Sequence, residues 1–134
     1  MYSTTLAQSS LLRVIKPDNP SVFLSPRSLR RVDAAIDYIH QHYASHISAE
    51  QLSLHVNLSV LRLQEGLKKQ TGMTLYKYQE QVRIRSAREL LSDTNLSIRL
   101  IADKVGFKTH SHFGKVFKQS TGMTPHEYRD QHGR

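Results

Sequence analysis

Thr71-Gly72-Met73-Thr74 returns unchanged as Thr121-Gly122-Met123-Thr124 about fifty positions later. Each copy closes a segment with the same grammar: a capping residue, a short apolar helix, a turn, then a basic amphipathic helix. Before the first copy stand Ile47-Ser48, Leu52, Val56, the turn Asn57-Leu58 and a second capping residue, Ser59. Before the second copy, Leu96-Ser97 takes the place of Ile47-Ser48, Ile101 of Leu52, Val105 of Val56 and Gly106-Phe107 of Asn57-Leu58. Lys108 is one extra residue in the second turn, and beyond it Phe113, Phe117, Lys118 and Tyr128 match Leu63, Leu67, Lys68 and Tyr78. The match runs through core positions as well as the tetrapeptide, so it marks a duplicated helix-turn-helix unit rather than chance likeness.

Local chemistry supports each boundary. Ser48 followed by Gln51 reads as a capping box, in which the hydroxyl takes an orphan amide while the Gln reaches back. Gly72 stops the following helix as a left-handed C-terminal residue would. Upstream, Val32, Ile36, Ile39 and Tyr43 form one apolar stripe on a first helix whose other face carries Asp33, Asp37 and Gln41. Residues 1–30 read as a tail or linker stub, because Pro17, Pro20 and Pro26 with Asn19, Ser21, Ser25 and Ser28 are turn and breaker chemistry. Between the repeats, 75–91 has no Pro or Gly and offers Tyr78, Val82, Ala87, Leu90 and Leu91 as apolar contacts. The spacing therefore predicts an all-α chain: a first helix-turn-helix over about 50–71, a linker helix over about 75–91, and a second helix-turn-helix over about 98–121. The domain spans 31–131, followed by a short tail at 132–134.

The chain of 134 residues carries a formal charge of +8 and a pI near 10.0, which predicts attraction to a polyanion, nucleic acid before anionic membrane. Apolar residues make up 38% with no Trp, so the core is built on Leu, Ile and Val. With no cysteine there is no disulfide, thiolate metal site or cysteine nucleophile, which suits a reducing cytoplasm. Neither a signal peptide nor an apolar run of about 18 residues is present, and no membrane partner is expected. A helix-turn-helix reads one stretch of major groove, so two on one basic chain point to a protein that grips two neighbouring stretches of double-stranded DNA. A linker helix of roughly seventeen residues rising about 1.5 Å each would hold them about 25 Å apart. Successive major grooves on one face lie about 34 Å apart, a separation that units mounted on the sides of such a strut can approach.

The second unit carries Ile98-x-x-Ile101-Ala102-x-x-Val105-Gly106-Phe107, Ser111-His112-Phe113-x-x-x-Phe117-Lys118, and Thr121-Gly122-Met123-Thr124-Pro125-x-x-Tyr128-Arg129. With the first unit, about Val32 to Gln131 resembles the DNA-binding domain of the AraC/XylS family of bacterial transcription regulators. The first unit matches more loosely: Leu67 stands for the usual Phe, and Glu65 stands where relatives often carry an Arg. The resemblance implies about seven helices, with recognition helices over about 59–70 and 109–120 entering adjacent major grooves. Base contacts would come from Leu61, Arg62, Gln64 and Glu65 in the first, and from His110, Ser111, His112, Gly114 and Lys115 in the second. Arg62 suits guanine O6 and N7, Gln64 suits adenine, and Ser111 and the histidines can donate to base edges. Ser59, Lys68, Lys69, Thr109 and Lys118 are expected on phosphates, where they add affinity and salt dependence rather than sequence choice. The resemblance also implies a transcription activator of the bacterial cytoplasm and nucleoid that contacts RNA polymerase. Many relatives carry a separate effector-binding domain ahead of this one, and no effector is assignable from these residues.

Other readings are weaker. His40-x-His42 and His110-x-His112 point their rings to different faces of a helix, with no Cys or carboxylate cluster to complete a shell, so no metal or cofactor is expected. Protonated, His110 and His112 would add positive charge and strengthen DNA binding at acid pH. Phe107, Phe113 and Phe117 could stack single-stranded bases, but their spacing marks a helix core. Among Arg83, Arg85 and Arg88 of the linker, at least one is expected to brace the packing or pair with Glu80 or Glu89. No Gly-rich phosphate loop, nucleophile elbow or carboxylate pair argues for an enzyme. The alternative from another class is a basic architectural or adaptor module that coats DNA or binds protein without reading bases.

Overall fold

The computed structural model describes residues 24–133, which form seven helices and no strand. They are α1 Pro26–His42, α2 Ala49–Val56, α3 Val60–Thr71, α4 Leu75–Asp93, α5 Ile98–Lys104, α6 His110–Thr121 and α7 Pro125–His132. The all-α expectation holds, and the expected tail at 1–23 lies outside the described residues.

Residues 24–30 depart from the expected tail. Leu24 and Leu29 are buried, and α1 starts at Pro26. The Ser25 hydroxyl accepts from the Ser28 amide at 3.2 Å, and the Ser25 carbonyl accepts from Leu29 at 2.9 Å. Ser-Pro is here an N-cap followed by the residue whose missing N–H is no loss in a first turn. What looked like breaker chemistry is a helix start.

The chain divides into two compact units, one containing α1 to α3 with 75–78, the other containing 43–46 and 79 onward. In the first, α1 packs on α2 and α3. Val32, Ala35, Ile36 and Ile39 from α1, Leu52 and Val56 from α2, and Leu63 and Leu67 from α3 are all buried. The closest approach is at Gly66, where a β-carbon would lie 2.5 Å from Val32 Cγ2. Asp33 sits on the edge of this core, its Oδ1 buried without a hydrogen-bond partner among the described residues. Burial, and then the neighbouring charge of Asp37, push its carboxyl above the ordinary carboxylate range.

The second unit buries Ile84, Ala87 and Leu91 of α4, Ile101 and Ala102 of α5, Phe113, Val116 and Phe117 of α6, and Tyr128 of α7. Aromatic rings run through it: Phe107 to Phe113 at 5.2 Å, Phe113 to Phe117 at 5.6 Å, and Phe117 to Tyr128 at 5.5 Å between centroids. With Phe113 only 1% exposed and Phe117 fully covered, these rings are core, as their spacing predicted, and offer no platform for bases. Ile84, absent from the expected contacts of the linker helix, is one of its most buried residues. Tyr43, assigned to the stripe of the first helix, instead lies past its end and packs against this second core, its hydroxyl 2.6 Å from Ser86 Oγ.

The repeated tetrapeptide is a stop-and-restart device. The Thr71 hydroxyl donates to the Leu67 carbonyl at 2.7 Å and accepts from the Met73 amide at 3.1 Å. Thr121 repeats this with Phe117 at 2.8 Å and Met123 at 3.1 Å. Gly72 and Gly122, at φ 75 and 82, turn the chain out of the helix, and Thr74 and Thr124 cap the next one by accepting from Lys77 and Glu127. At Thr124 the Glu127 carboxylate also accepts from the cap's own amide at 2.9 Å, a complete capping box. That backbone hydrogen bond holds the Glu127 carboxyl below its usual range. At Ser48, where a box was expected, the hydroxyl accepts from the Gln51 amide.

Candidate nucleic-acid interface

Each unit builds one outward-facing helix by the same local means. In the first, α2 ends at Asn57 with a left-handed φ of 61, and the Leu58 amide donates back to the Ser53 carbonyl at 3.0 Å. In the second, Gly106 at φ 103 takes that place, and the Phe107 amide donates to the Ala102 carbonyl at 3.0 Å. Asn tolerates this conformation; at Gly106 the Ala44 carbonyl lies 2.5 Å from where a β-carbon would stand, so the second turn requires glycine. Ser59 then caps α3 by accepting from the Arg62 amide at 3.1 Å, and Thr109 caps α6 by accepting from His112 at 3.0 Å. Both expected phosphate contacts thus have a capping role already, while remaining exposed.

On α3, Leu63, Gly66, Leu67 and Gln70 are buried. The helical period leaves Leu61, Arg62, Gln64 and Lys68 exposed, with Glu65 and Lys69 half-buried. Leu61 is 64% exposed, a large apolar side chain on an otherwise polar face. On α6, Phe113, Val116 and Phe117 face inward. Ser111, His112, Lys115 and Lys118 are exposed, and His110 and Gly114 are half-buried. The candidate residues of each helix therefore fall on its outward side. The two faces carry charge of opposite sign at one repeat-related position, where Glu65 on α3 corresponds to Lys115 on α6.

The histidines are distributed, not clustered. His110 Nε2 lies 3.1 Å from Asp103 Oδ1 of α5, so one ring nitrogen of this candidate base reader is engaged within its own unit. His112 sets its ring against the edge of Phe107 at 5.7 Å. In the first unit, His40 Nε2 meets the Tyr78 hydroxyl at 2.7 Å, and His42 and His55 flank Tyr38 at 4.3 and 4.6 Å. Among the described residues no group of three metal-ligating side chains forms, and no helix is long and apolar enough to cross a membrane.

Two linker arginines, Arg83 and Arg88, hold structure. Arg83 donates through Nε to the Tyr43 carbonyl at 2.6 Å and through Nη2 to Ser45 at 3.2 Å. The buried Gln79 amide donates to the same two carbonyls at 2.8 and 2.6 Å. Arg88 donates to the Tyr128 hydroxyl at 3.3 Å and lies 5.6 Å from the centre of that ring. Arg129 donates to the carbonyls of Leu91 and Thr94, both at 3.2 Å, closing the end of α4. Sequence reasoning foresaw at least one arginine bracing the packing or pairing with Glu80 or Glu89; it missed Asp103, and also Gln79 and the role of Arg129, whose partners are distant in the chain.

A glycine inside a helix costs about 0.5–1 kcal/mol relative to alanine. Gly66 has a packing reason for that cost, the Val32 side chain pressed against it. Gly114 on α6 has none: a β-carbon there would meet nothing within 4 Å.

Residues 52–131 match the family model of a helix-turn-helix domain. The chain is 35% identical over 130 residues to the arabinose operon regulatory protein of Salmonella typhimurium, covering 96% of this chain and 46% of that protein. It thus spans just under half the length of that relative. Among solved structures it superposes on the C-terminal domain of AraT, a response regulator from Geobacillus stearothermophilus, with a TM-score of 0.73 and 30% identity over 83% of this chain and 89% of that one. It is similar also to the xylose-binding transcription activator xylR, with a TM-score of 0.72 and 31% identity over 78% of this chain and 28% of that one.

Proposed function

Since the chain belongs to the AraC/XylS family of helix-turn-helix DNA-binding proteins, we propose that it regulates transcription by binding a specific double-stranded operator. Helices α3 and α6 enter neighbouring stretches of major groove, one from each unit. The observation that carries this reading is the pair of capped, repeat-related helices, each with its apolar side buried and its candidate DNA-facing side exposed. Arg62, Gln64 and Leu61 on α3, with Ser111, His112, Gly114 and Lys115 on α6, meet base edges. Glu65 accepts from cytosine N4, the donor that a carboxylate can read in the major groove. His110, held by Asp103, presents its other ring nitrogen to the duplex. Lys68, Lys69 and Lys118 lie on phosphates, alongside the hydroxyl caps Ser59 and Thr109.

The relative from Salmonella typhimurium is an operon regulatory protein, and xylR is a transcription activator. On that basis we assign this chain to transcription activation in the bacterial cytoplasm, acting at the nucleoid through contact with RNA polymerase. Electrophoretic binding with labelled duplexes and excess competitor tests the reading. A preferred site spanning about two turns, retained against competitor, is expected. Uniform affinity for all duplexes that collapses as salt rises would favour a basic coating module instead.

A further inference from the structure

Neither backbone conformation nor packing explains Gly114. It is not among the described glycines with positive φ, and beyond its chain neighbours and its own helix backbone no atom lies within 4 Å of where its β-carbon would be. Alanine would fit there and would stabilise the helix. Gln64 holds the repeat-related position on α3 and is exposed, so the helix-turn-helix architecture itself does not demand a small residue here.

The neighbours of Gly114 show where the missing side chain leaves its gap. Ser111, three residues before, and Lys118, four after, share its side of the helix and are exposed. Gly114 is thus a notch in the candidate reading face, floored by backbone and bordered by one hydroxyl and one cation. A notch floored by Cα–H groups makes no strong hydrogen bond and offers only close contact. The apolar group that a base pair presents in the major groove is the C5 methyl of thymine.

We propose that Gly114 admits a thymine methyl against the backbone of α6, so that the second unit selects thymine over cytosine at one base pair by shape. This rests on the reading above, that α6 enters the major groove, and refines it at one position.

The test is the Gly114→Ala variant, measured for thermal unfolding and for affinity to the duplex that the native chain selects. Each thymine of the α6 half-site is replaced in turn by deoxyuridine, which lacks the methyl. The variant is expected to melt roughly 2–6 °C higher, as a glycine-to-alanine change inside a helix should. It should bind the thymine site about tenfold more weakly, within the range set by loss of one good base contact. Deoxyuridine at one position should restore most of that loss in the variant while weakening the native chain. Native-like binding by the variant, a loss that no deoxyuridine repairs, or a selected half-site without thymine would each overturn the proposal. Those results leave α6 as a DNA reader intact, provided that Lys118→Ala still lowers affinity; a native chain that selects no sequence at all would remove both.

Discussion

Arg62 in the first turn of α3 and Lys118 in the last turn of α6 are both exposed, yet different work is expected of them. Arg62→Ala should relax choice at one base pair and cost about 1–3 kcal/mol at the preferred base, read by competition among duplexes carrying each base there. Equal losses on every duplex would remove it from the set of readers. Lys118→Ala should weaken all duplexes alike and reduce the slope of log affinity against log salt by about one unit; an unaltered slope would take it off the phosphates. Asp33 makes a stability prediction of opposite character. Its folded-state carboxyl titrates above the ordinary range, so ionising it costs folding energy that grows as pH rises through that raised value. Asp33→Asn should therefore raise Tm at neutral pH and lose that advantage in acid, below the unfolded carboxylate value. The gain is small, because solvent still screens the group. A pH-independent change in Tm would contradict it.

At the scale of elements, the helices declared themselves wherever a capping residue met an apolar period. Ser48, Ser59, Ser97, Thr109 and Thr124 each accept from an amide of the turn they open, and Gly72 and Gly122 close helices in the left-handed conformation. The start of α1 was hidden because Ser25-Pro26 belongs equally to a turn and to a helix N-terminus, and only the burial of Leu24 and Leu29 decides between them. Ile84 was hidden between Arg83 and Arg85, which local pattern reads as a solvated face; Arg83 is instead turned onto the carbonyls of 43 and 45. The outward faces of α3 and α6 were legible from periodicity, whereas the His110–Asp103 pair and the Arg129 clasp join residues on different helices and leave no local trace. That clasp makes its own prediction. Arg129→Ala removes a charged donor from two carbonyls at the end of α4 and should cost about 1–3 kcal/mol of stability. Denaturant unfolding measures the cost, and an unchanged midpoint would show the clasp to be idle.

On the scale of the whole molecule, the central claim is that duplicated units read one duplex together. The duplication is visible in sequence and repeated in structure, from the positive φ of Asn57 and Gly106 to the matching bonds of Thr71 and Thr121. Joint reading is the step that the relatives and the chemistry of the two faces support, and α4, unbroken over Leu75–Asp93, supplies the covalent connection. The first unit carries Glu65 where the second carries Lys115, so the two half-sites should differ in sequence rather than repeat. Selection of bound duplexes from a random pool, followed by footprinting of the winners, tests the claim most directly. The account predicts two unlike blocks of base preference, centred about one helical turn (10–10.5 base pairs) apart and protected on one face; a single block, or enrichment of no sequence at all, would contradict it.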